Sequence, residues 1–287
     1  MKVLHLTDIH LRSKYADQFH EDEHLSRILN ETRGIRDSLD AVIVTGDLID
    51  EGTYEDYAKL LVLLQNTYGE DMPILVTPGN HDNRDALEDA YSDFRRGKAW
   101  KHSEHLSVYG SFKKPGESVI ILETFKIVPG YSPECKVNWH KIVLMDTAHR
   151  DYPYGGLCRL SSIYQNAASS DDKKYILFTH MPIIRPFHRF MNQPQFTLPD
   201  DDNVFIATLA STGCDAIVCG HYHSESHMMA FGIRQYAGPA SQVQIDPYTK
   251  TCNPSGIFPG YAILTDLGQI EYSTHYIVEE PTTEESK

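Results

Sequence analysis

Short apolar runs punctuate the first eighty residues: Val3-Leu4-His5-Leu6, Ala41-Val42-Ile43-Val44 and Ile74-Leu75-Val76. Runs of this length, rich in β-branched residues, read as buried strands over 2–7, 41–45 and 73–77. The segments between them change period. Asp22 to Asp37 carries Leu25, Ile28, Leu29 and Ile35 at helical spacing. Thr53 stands where it can cap a helix reaching about Thr67, with Glu55 and Asp56 in the first turn and Leu60, Leu61, Leu63 and Leu64 as its stripe. Asn83 is placed to cap a helix over 84–95. Strand and helix alternate, which predicts a parallel sheet covered by helices.

The middle reads differently. Leu106–Phe112, Val119–Leu122 and Ile142–Met145 are short strand-like runs broken by proline and glycine. A helix is expected near Leu160–Ala168, a strand over 175–179, a helix over about 203–212 and a strand over 215–219. The C-terminal runs, His227–Phe231, Ile233–Ala237, Tyr261–Thr265 and Ile270–Ile277, alternate as antiparallel strands do. All of this material fits a four-layer α/β/β/α sandwich, two mixed sheets with helices on both outer faces. One domain over 1–278 is expected, with 105–140 and 185–202 as cap or loop insertions. The 185–202 stretch, rich in Pro, Gln, Phe and Asp, has the length and composition of a functional loop that would read the substrate. The tail 279–287 is acidic and threonine-rich, a composition expected to be disordered.

Composition narrows the class. The 287 residues are 41% hydrophobic, enough to fill a substantial core. There is no apolar run long enough to cross a membrane and no leader-like segment at Met1, so a cytoplasmic protein with no membrane partner is expected. The five cysteines form no CxxC pair and read as core residues rather than a disulfide framework. The net charge is −14 and no basic stripe is visible. Proteins that track nucleic acid neutralise many phosphates with Lys and Arg, so an extended nucleic-acid partner is disfavoured, whereas a small anion drawn to a local metal charge is not.

Five segments end in side chains suited to metal, most of them directly after a strand-like run. They are Asp8-Ile9-His10, Gly46-Asp47, Gly79-Asn80-His81-Asp82, Thr179-His180 and Gly220-His221-Tyr222-His223. Residues two apart on extended backbone share a face, so Asp8 and His10 can reach one ion, and so can His221 and His223. Each pair alone is equally well a capping acid or a loop histidine. Asp47 follows a glycine and has two oxygens, which suits it to bridge two cations. Asp50 reads as a cap for the next turn. Asn80 offers an amide oxygen to a hard cation. His81, adjacent, points elsewhere and reads either as an acid over the site, held by Asp82, or as a turn histidine. His180 reads as a ligand or as a hydrogen-bonded core histidine. Oxygen and imidazole donors without thiolate point to hard or borderline divalent ions, and enough ligands for two ions point to two-metal hydrolysis of a phosphate ester. His5, His188 and the remaining histidines receive no role.

The five blocks together resemble the signature of the calcineurin-like metallophosphoesterase superfamily: Asp-x-His, Gly-Asp, Gly-Asn-His-Asp/Glu, His and Gly-His-x-His. Within it the chain resembles the class III cyclic-nucleotide phosphodiesterases, through Leu6–Leu11, Val44–Leu48, Pro78–Arg84, Met145–Thr147, Cys219–His223 and Ala237–Ser241, over roughly residues 2–278. The fourth block departs from the bacterial cyclic AMP enzymes in carrying one histidine, Thr179-His180-Met181-Pro182. The resemblance implies that Asp8, His10, Asp47 and His223 hold one ion and that Asp47, Asn80, His180 and His221 hold the other, the ions being manganese, iron or zinc. It implies His81 as proton donor, assisted by Asp82, and Asn80, His81 and Arg84 as substrate contacts. It further implies a small phosphodiester or cyclic nucleotide as substrate, with hydrolysis of 3′,5′-cyclic AMP to the 5′-monophosphate as the leading expectation. A glycerophosphodiesterase or phosphomonoesterase is the alternative, ahead of a DNA nuclease or a non-catalytic scaffold. A homodimer is also expected.

Overall fold

The apolar runs pair side by side because each is buried along its length, where only a sheet can satisfy its backbone groups. The computed structural model describes residues 1–11, 21–109, 120–127, 138–148, 175–198 and 202–278. Strands β1 (Lys2–Leu6), β2 (Ala41–Thr45) and β3 (Ile74–Thr77) lie parallel, with Val3 opposite Ala41 and Val42 opposite Ile74. The second sheet contains β4 (Ser103–Tyr109), β5 (Ile120–Ile127), β6 (Asn138–Met145), β7 (Tyr175–Thr179), β8 (Cys214–Cys219), β9 (Ser226–Ala230) and β10 (Ile233–Ala237), in the order β4-β5-β6-β7-β8-β10-β9. Its centre, β6, β7, β8 and β10, is parallel. The last two strands, β11 (Gly260–Asp266) and β12 (Ile270–Tyr276), return to the first sheet, where β11 pairs antiparallel with β1. The C-terminal strands, expected as one antiparallel group, therefore divide between two sheets. Residues 105–140, expected as a cap or loop insertion, supply strands to the second sheet wherever they are described.

Alternation along the strands sorts the layers. Ile142, Leu144, Ile176, Phe178, Ala216 and Val218 share a core with Leu4, Val42 and Val76 of the first sheet. The alternate residues Val143, Met145, Leu177 and Ile217 pack instead with Phe205, Ile206 and Leu209 of a helix, α4 (Asp202–Thr212). The period of two thus gives the second sheet one face toward its partner sheet and one toward a helix. Helices α1 (Glu21–Arg33), α2 (Tyr54–Tyr68) and α3 (Arg84–Arg95) bury Leu25, Ile28, Leu29, Leu60, Leu61, Leu64 and Leu87 against the first sheet. The result is the four-layer α/β/β/α sandwich. Thr53 caps α2 through a reciprocal pair of bonds with Asp56, and the Asn83 side chain accepts from the Ala86 N–H at 3.2 Å to start α3. The helix expected over 22–37 stops at Arg33, and a 3-10 turn over Arg36–Ser38 follows. Cys214 and Cys219 are buried, but Cys252 is exposed. The helix expected near 160–168, the 279–287 tail, Cys135 and Cys158 lie outside the described residues. Among the described residues no helix is long and apolar enough to cross a membrane.

His5 is buried in β1, its Nδ1 2.7 Å from the Tyr272 hydroxyl and its Nε2 2.7 Å from the Thr45 hydroxyl. Burial lowers its pKa to about 3, against a weaker upward pull from Asp8. The unfolded chain therefore takes up a proton near pH 6.5 that the folded chain refuses. Stability contributed by the neutral imidazole is complete above pH 6.5 and falls as pH drops toward 3, by about 1.4 kcal/mol per pH unit for one such group. His5→Gln removes this dependence. Urea unfolding of the wild type and the variant between pH 6.5 and 4.5 should show their stabilities converging; parallel curves would reject the assignment.

Candidate metal centre

All five ligand-bearing blocks leave the C-terminal ends of parallel strands, β1, β2, β3, β7 and β8, so both sheets deliver them to one edge of the sandwich. Two of the loops run zipped together beyond their strands. Asp8 N–H donates to Gly46 O at 3.2 Å, His10 N–H to Asp47 O at 2.9 Å, and Asp50 N–H to Leu11 O at 3.2 Å. The blocks adopt an uncommon backbone. Asp8 (φ 53°), His10 (φ 50°), Asp47 (φ 49°), His221 (φ 71°) and His223 (φ 50°) all lie in the left-handed region. For non-glycine residues such conformations cost on the order of 1–3 kcal/mol each and cluster at functional sites. Two glycines make room: a Cβ on Gly79 would collide with the Asp47 carboxylate, and one on Gly220 with the Thr7 hydroxyl.

Among the described residues three groups of metal-competent atoms result: two are entirely buried, Asp8, His10 and His223, and Asp47, His180 and His221, and a third, His10, Asp50 and His81, is partly exposed. Asp47 joins the two buried groups. Its Oδ2 is 3.5 Å from His10 Nε2 on one side and 3.3 Å from His180 Nε2 on the other, while its Oδ1 accepts the His81 N–H at 2.9 Å. Asp8 Oδ1 is 3.4 Å from His223 Nε2, and both its oxygens accept the His221 N–H. Asn80 Oδ1 is 3.0 Å from His180 Nε2.

The outer ring nitrogens show that this donor set fits cations. His180 Nδ1–H donates to Thr45 O at 2.8 Å, His221 Nε2–H to Phe196 O at 2.9 Å, and His223 Nδ1–H to Val243 O at 2.8 Å. His10 Nδ1 is 2.6 Å from Asp50 Oδ1. Each outer partner can only accept, so each inner nitrogen presents its lone pair unless the ring takes a second proton. The inner nitrogens then face one another, His10 Nε2 against His223 Nε2 at 3.0 Å and His180 Nε2 against His221 Nδ1 at 3.2 Å. Such pairs need a positive charge between them, and protons supply it in the metal-free protein. Burial would lower His180, but the charge and hydrogen bond of Asp47 outweigh it and lift it to about 9. His10 rises against burial to about 9 through Asp50 and Asp47. Burial and the charge of His180 push His221 down to about 3. Burial would raise Asp47, but His180 and His10 hold it well below the carboxylate range.

The residues around this centre differ from expectation in three places. Asp50 is no turn cap: it binds His10 and lies 3.4 Å from His81 Nδ1. The zipper between the two loops brings it there, and its spacing three residues after Asp47 was the only sequence signal. Asp82 does not hold the His81 ring. Its buried carboxylate accepts from the N–H groups of Leu48, Ile49 and Gly79 and from the Tyr57 hydroxyl, tying the second and third loops together. Arg84, expected at the substrate, is engaged with Asp146 through both terminal nitrogens. His81 itself is about half exposed (49%) beside the buried ligands, its ring edge-on to His10 at 4.9 Å.

Replacing Asp50 with asparagine should weaken metal binding about 10- to 100-fold, the usual cost of losing a carboxylate behind a ligating histidine. Titration of the metal-free variant with manganese, followed calorimetrically, measures this. Unchanged affinity would show that Asp50 does not orient His10.

The fold and this centre are those of a metal-dependent phosphoesterase. The family model of the calcineurin-like phosphoesterases matches residues 1–225, and the chain belongs to that family. A probable glycerophosphodiester phosphodiesterase of Arcobacter nitrofigilis is 26% identical over 255 residues, covering 86% of this chain and 81% of that protein. The 3′,5′-cyclic adenosine monophosphate phosphodiesterase of Escherichia coli K12 is 21% identical over 272 residues, covering 92% and 84%. Among solved structures, the anchor protein of the Plasmodium inner membrane complex superposes with a TM-score of 0.56 at 13% identity, covering 98% of this chain and 90% of that one. A purple acid phosphatase from yellow lupin gives 0.56 at 11% identity, covering 93% and 49%. At these identities the structural likeness is one of fold.

Proposed function

We propose that the protein hydrolyses a small phosphodiester, 3′,5′-cyclic AMP first among them, to the 5′-monophosphate. Asp8, His10, Asp47 and His223 would hold one divalent ion, and Asp47, Asn80, His180 and His221 the other. When bound, such ions neutralise phosphoryl oxygens and lower the pKa of a water molecule. The observation that carries the reading is His81, half exposed beside two buried ligand groups. The Asp50 carboxylate beside its ring raises its pKa against burial, which favours the protonated form. In hydrolysis a P–O bond forms to water oxygen and the bond to the ribose 3′ oxygen breaks. His81 would give its proton to that leaving oxygen, an assistance worth about 10²–10⁴ in rate.

The net charge of −14 favours a small substrate over a polyanion. Relatives named for cyclic nucleotides favour cyclic AMP, and the Arcobacter relative favours a glycerophosphodiester as second reading. A panel of cyclic nucleotides, glycerophosphodiesters and phosphomonoesters with added manganese tests the order. Higher kcat/KM on cyclic AMP supports the first reading; preference for a glycerophosphodiester replaces it, and activity on monoesters alone rejects both.

A further inference from the structure

The loop between β7 and α4 is tied down at many points. The buried Gln235 side chain of β10 accepts from Ile183 N–H at 2.9 Å and Ile184 N–H at 2.7 Å, fixing where the chain leaves β7. Arg185 Nη2 donates to Leu198 O at 2.6 Å, closing the loop on itself. Tyr222, buried between ligands His221 and His223, donates its hydroxyl to Asn192 Oδ1 at 2.7 Å, and its ring meets that of the buried His188 at 5.5 Å. Phe196 O holds His221. The loop is thus built onto the metal-binding block itself.

Among its apolar side chains Phe187 is the large one most open to solvent, while Phe190 and Phe196 are partly buried. Ile183, Ile184, Met191 and Leu198 are all under a tenth exposed, whereas Phe187 is 64% exposed. Among the described residues Phe187 has one aromatic neighbour, Tyr248, with ring centroids 5.8 Å apart, and Tyr248 is itself 69% exposed. The backbone beneath the two rings is fixed, since Arg189 N–H donates to Pro247 O at 2.8 Å and Arg189 Nη1 to Tyr248 O at 3.3 Å. Both residues are joined to the ligand block through short stretches of chain. Phe187 adjoins His188, which packs on Tyr222, and Tyr248 is three residues beyond Ile245, whose N–H bonds His223 O at 2.7 Å. An extended chain covers at most about 10 Å in three residues.

Two exposed aromatic rings on a hydrogen-bonded backbone, tilted 45° to one another and joined through short stretches of chain to the ligand block, offer apolar faces on which a base can stack. We propose that Phe187 and Tyr248 form the platform on which the base of a nucleotide substrate stacks while its phosphate lies at the metal centre. The proposal rests on the phosphodiesterase reading and adds the group recognised beyond the phosphate. It also gives a reason why the loop is anchored to Tyr222 and His221: the distance from base to phosphate is then held by the ligand block.

The test compares ligands that differ only in the base. Competition by AMP and by ribose 5-phosphate is measured against hydrolysis of bis-p-nitrophenyl phosphate by the manganese-loaded protein. AMP should inhibit at lower concentration than ribose 5-phosphate by roughly 5- to 150-fold, the factor one base–aromatic stack is worth. Phe187→Ala and Tyr248→Ala should each shrink that ratio toward one while leaving inhibition by ribose 5-phosphate unchanged. Equal inhibition by the two ligands in the wild type overturns the platform. So does an equal loss for both ligands in the variants, which would mark the rings as structural. A wild type that discriminates AMP yet does not turn over cyclic AMP keeps the platform and removes the substrate assignment instead.

Discussion

Asp47→Ala is expected to leave a folded protein that binds at most one divalent ion and has lost catalysis by more than about 10³-fold. The reason is geometric. Asp47 Oδ2 is the atom within reach of both inner clusters, 3.5 Å from His10 Nε2 and 3.3 Å from His180 Nε2. Removing a single preorganised electrostatic partner of a transition state already costs about 10²–10³. Here the loss separates two sites as well, and leaves four buried imidazoles with one carboxylate fewer to offset charge. Asp47→Asn keeps the shape and removes only the charge, so it guards against misfolding of the alanine variant. Elemental analysis of metal per chain, together with turnover of bis-p-nitrophenyl phosphate, reads the result. Two ions retained with near-normal turnover would show that Asp47 is not the bridge.

His81→Ala is expected to do the opposite to the metals and something similar to the rate. The ring lies edge-on to His10 and 3.4 Å from Asp50 but belongs to neither of the two fully buried donor groups, and its backbone N–H contacts Asp47. Metal content should therefore stay at the wild-type value. Turnover of cyclic AMP should fall about 10²–10⁴-fold, because an alkoxide leaving group needs a proton. Bis-p-nitrophenyl phosphate releases an aryloxide that departs as a stable anion, so its turnover should fall far less. Equal losses on both substrates would exclude proton donation and leave His81 a positioning role only. Asp50→Asn offers a further separation, since Asp50 touches both His10 and His81 and should affect metal affinity and rate together.

The strands and helices were legible because their signals are local. The runs Val3–Leu6, Ala41–Val44 and Ile74–Val76 are buried on both faces and so are apolar but for His5. Thr53 and Asn83 announce helix starts through bonds made within three residues. Cys252 misled because cysteine identity alone does not show whether a loop is covered. The C-terminal strands misled because alternation marks a strand without saying which neighbour it will pair with. Asp82 misled because adjacency in sequence was read as contact, whereas its carboxylate faces the neighbouring loop and His81 faces Asp50. Arg84 was given to the substrate because no local pattern reveals its pairing with Asp146, sixty-two residues away.

The sequence by itself determined the donor chemistry: which side chains can bind a cation, and that a polar block follows each of several buried strands. Those are properties of residue type and short-range period. Only the tertiary structure decided which donors lie together, that Asp50 stands behind His10, and that the β7–α4 loop is fastened to Tyr222. Each of those depends on strand register and loop pairing between segments 30 to 213 residues apart, where a shift of one position would turn the ligand away from the centre.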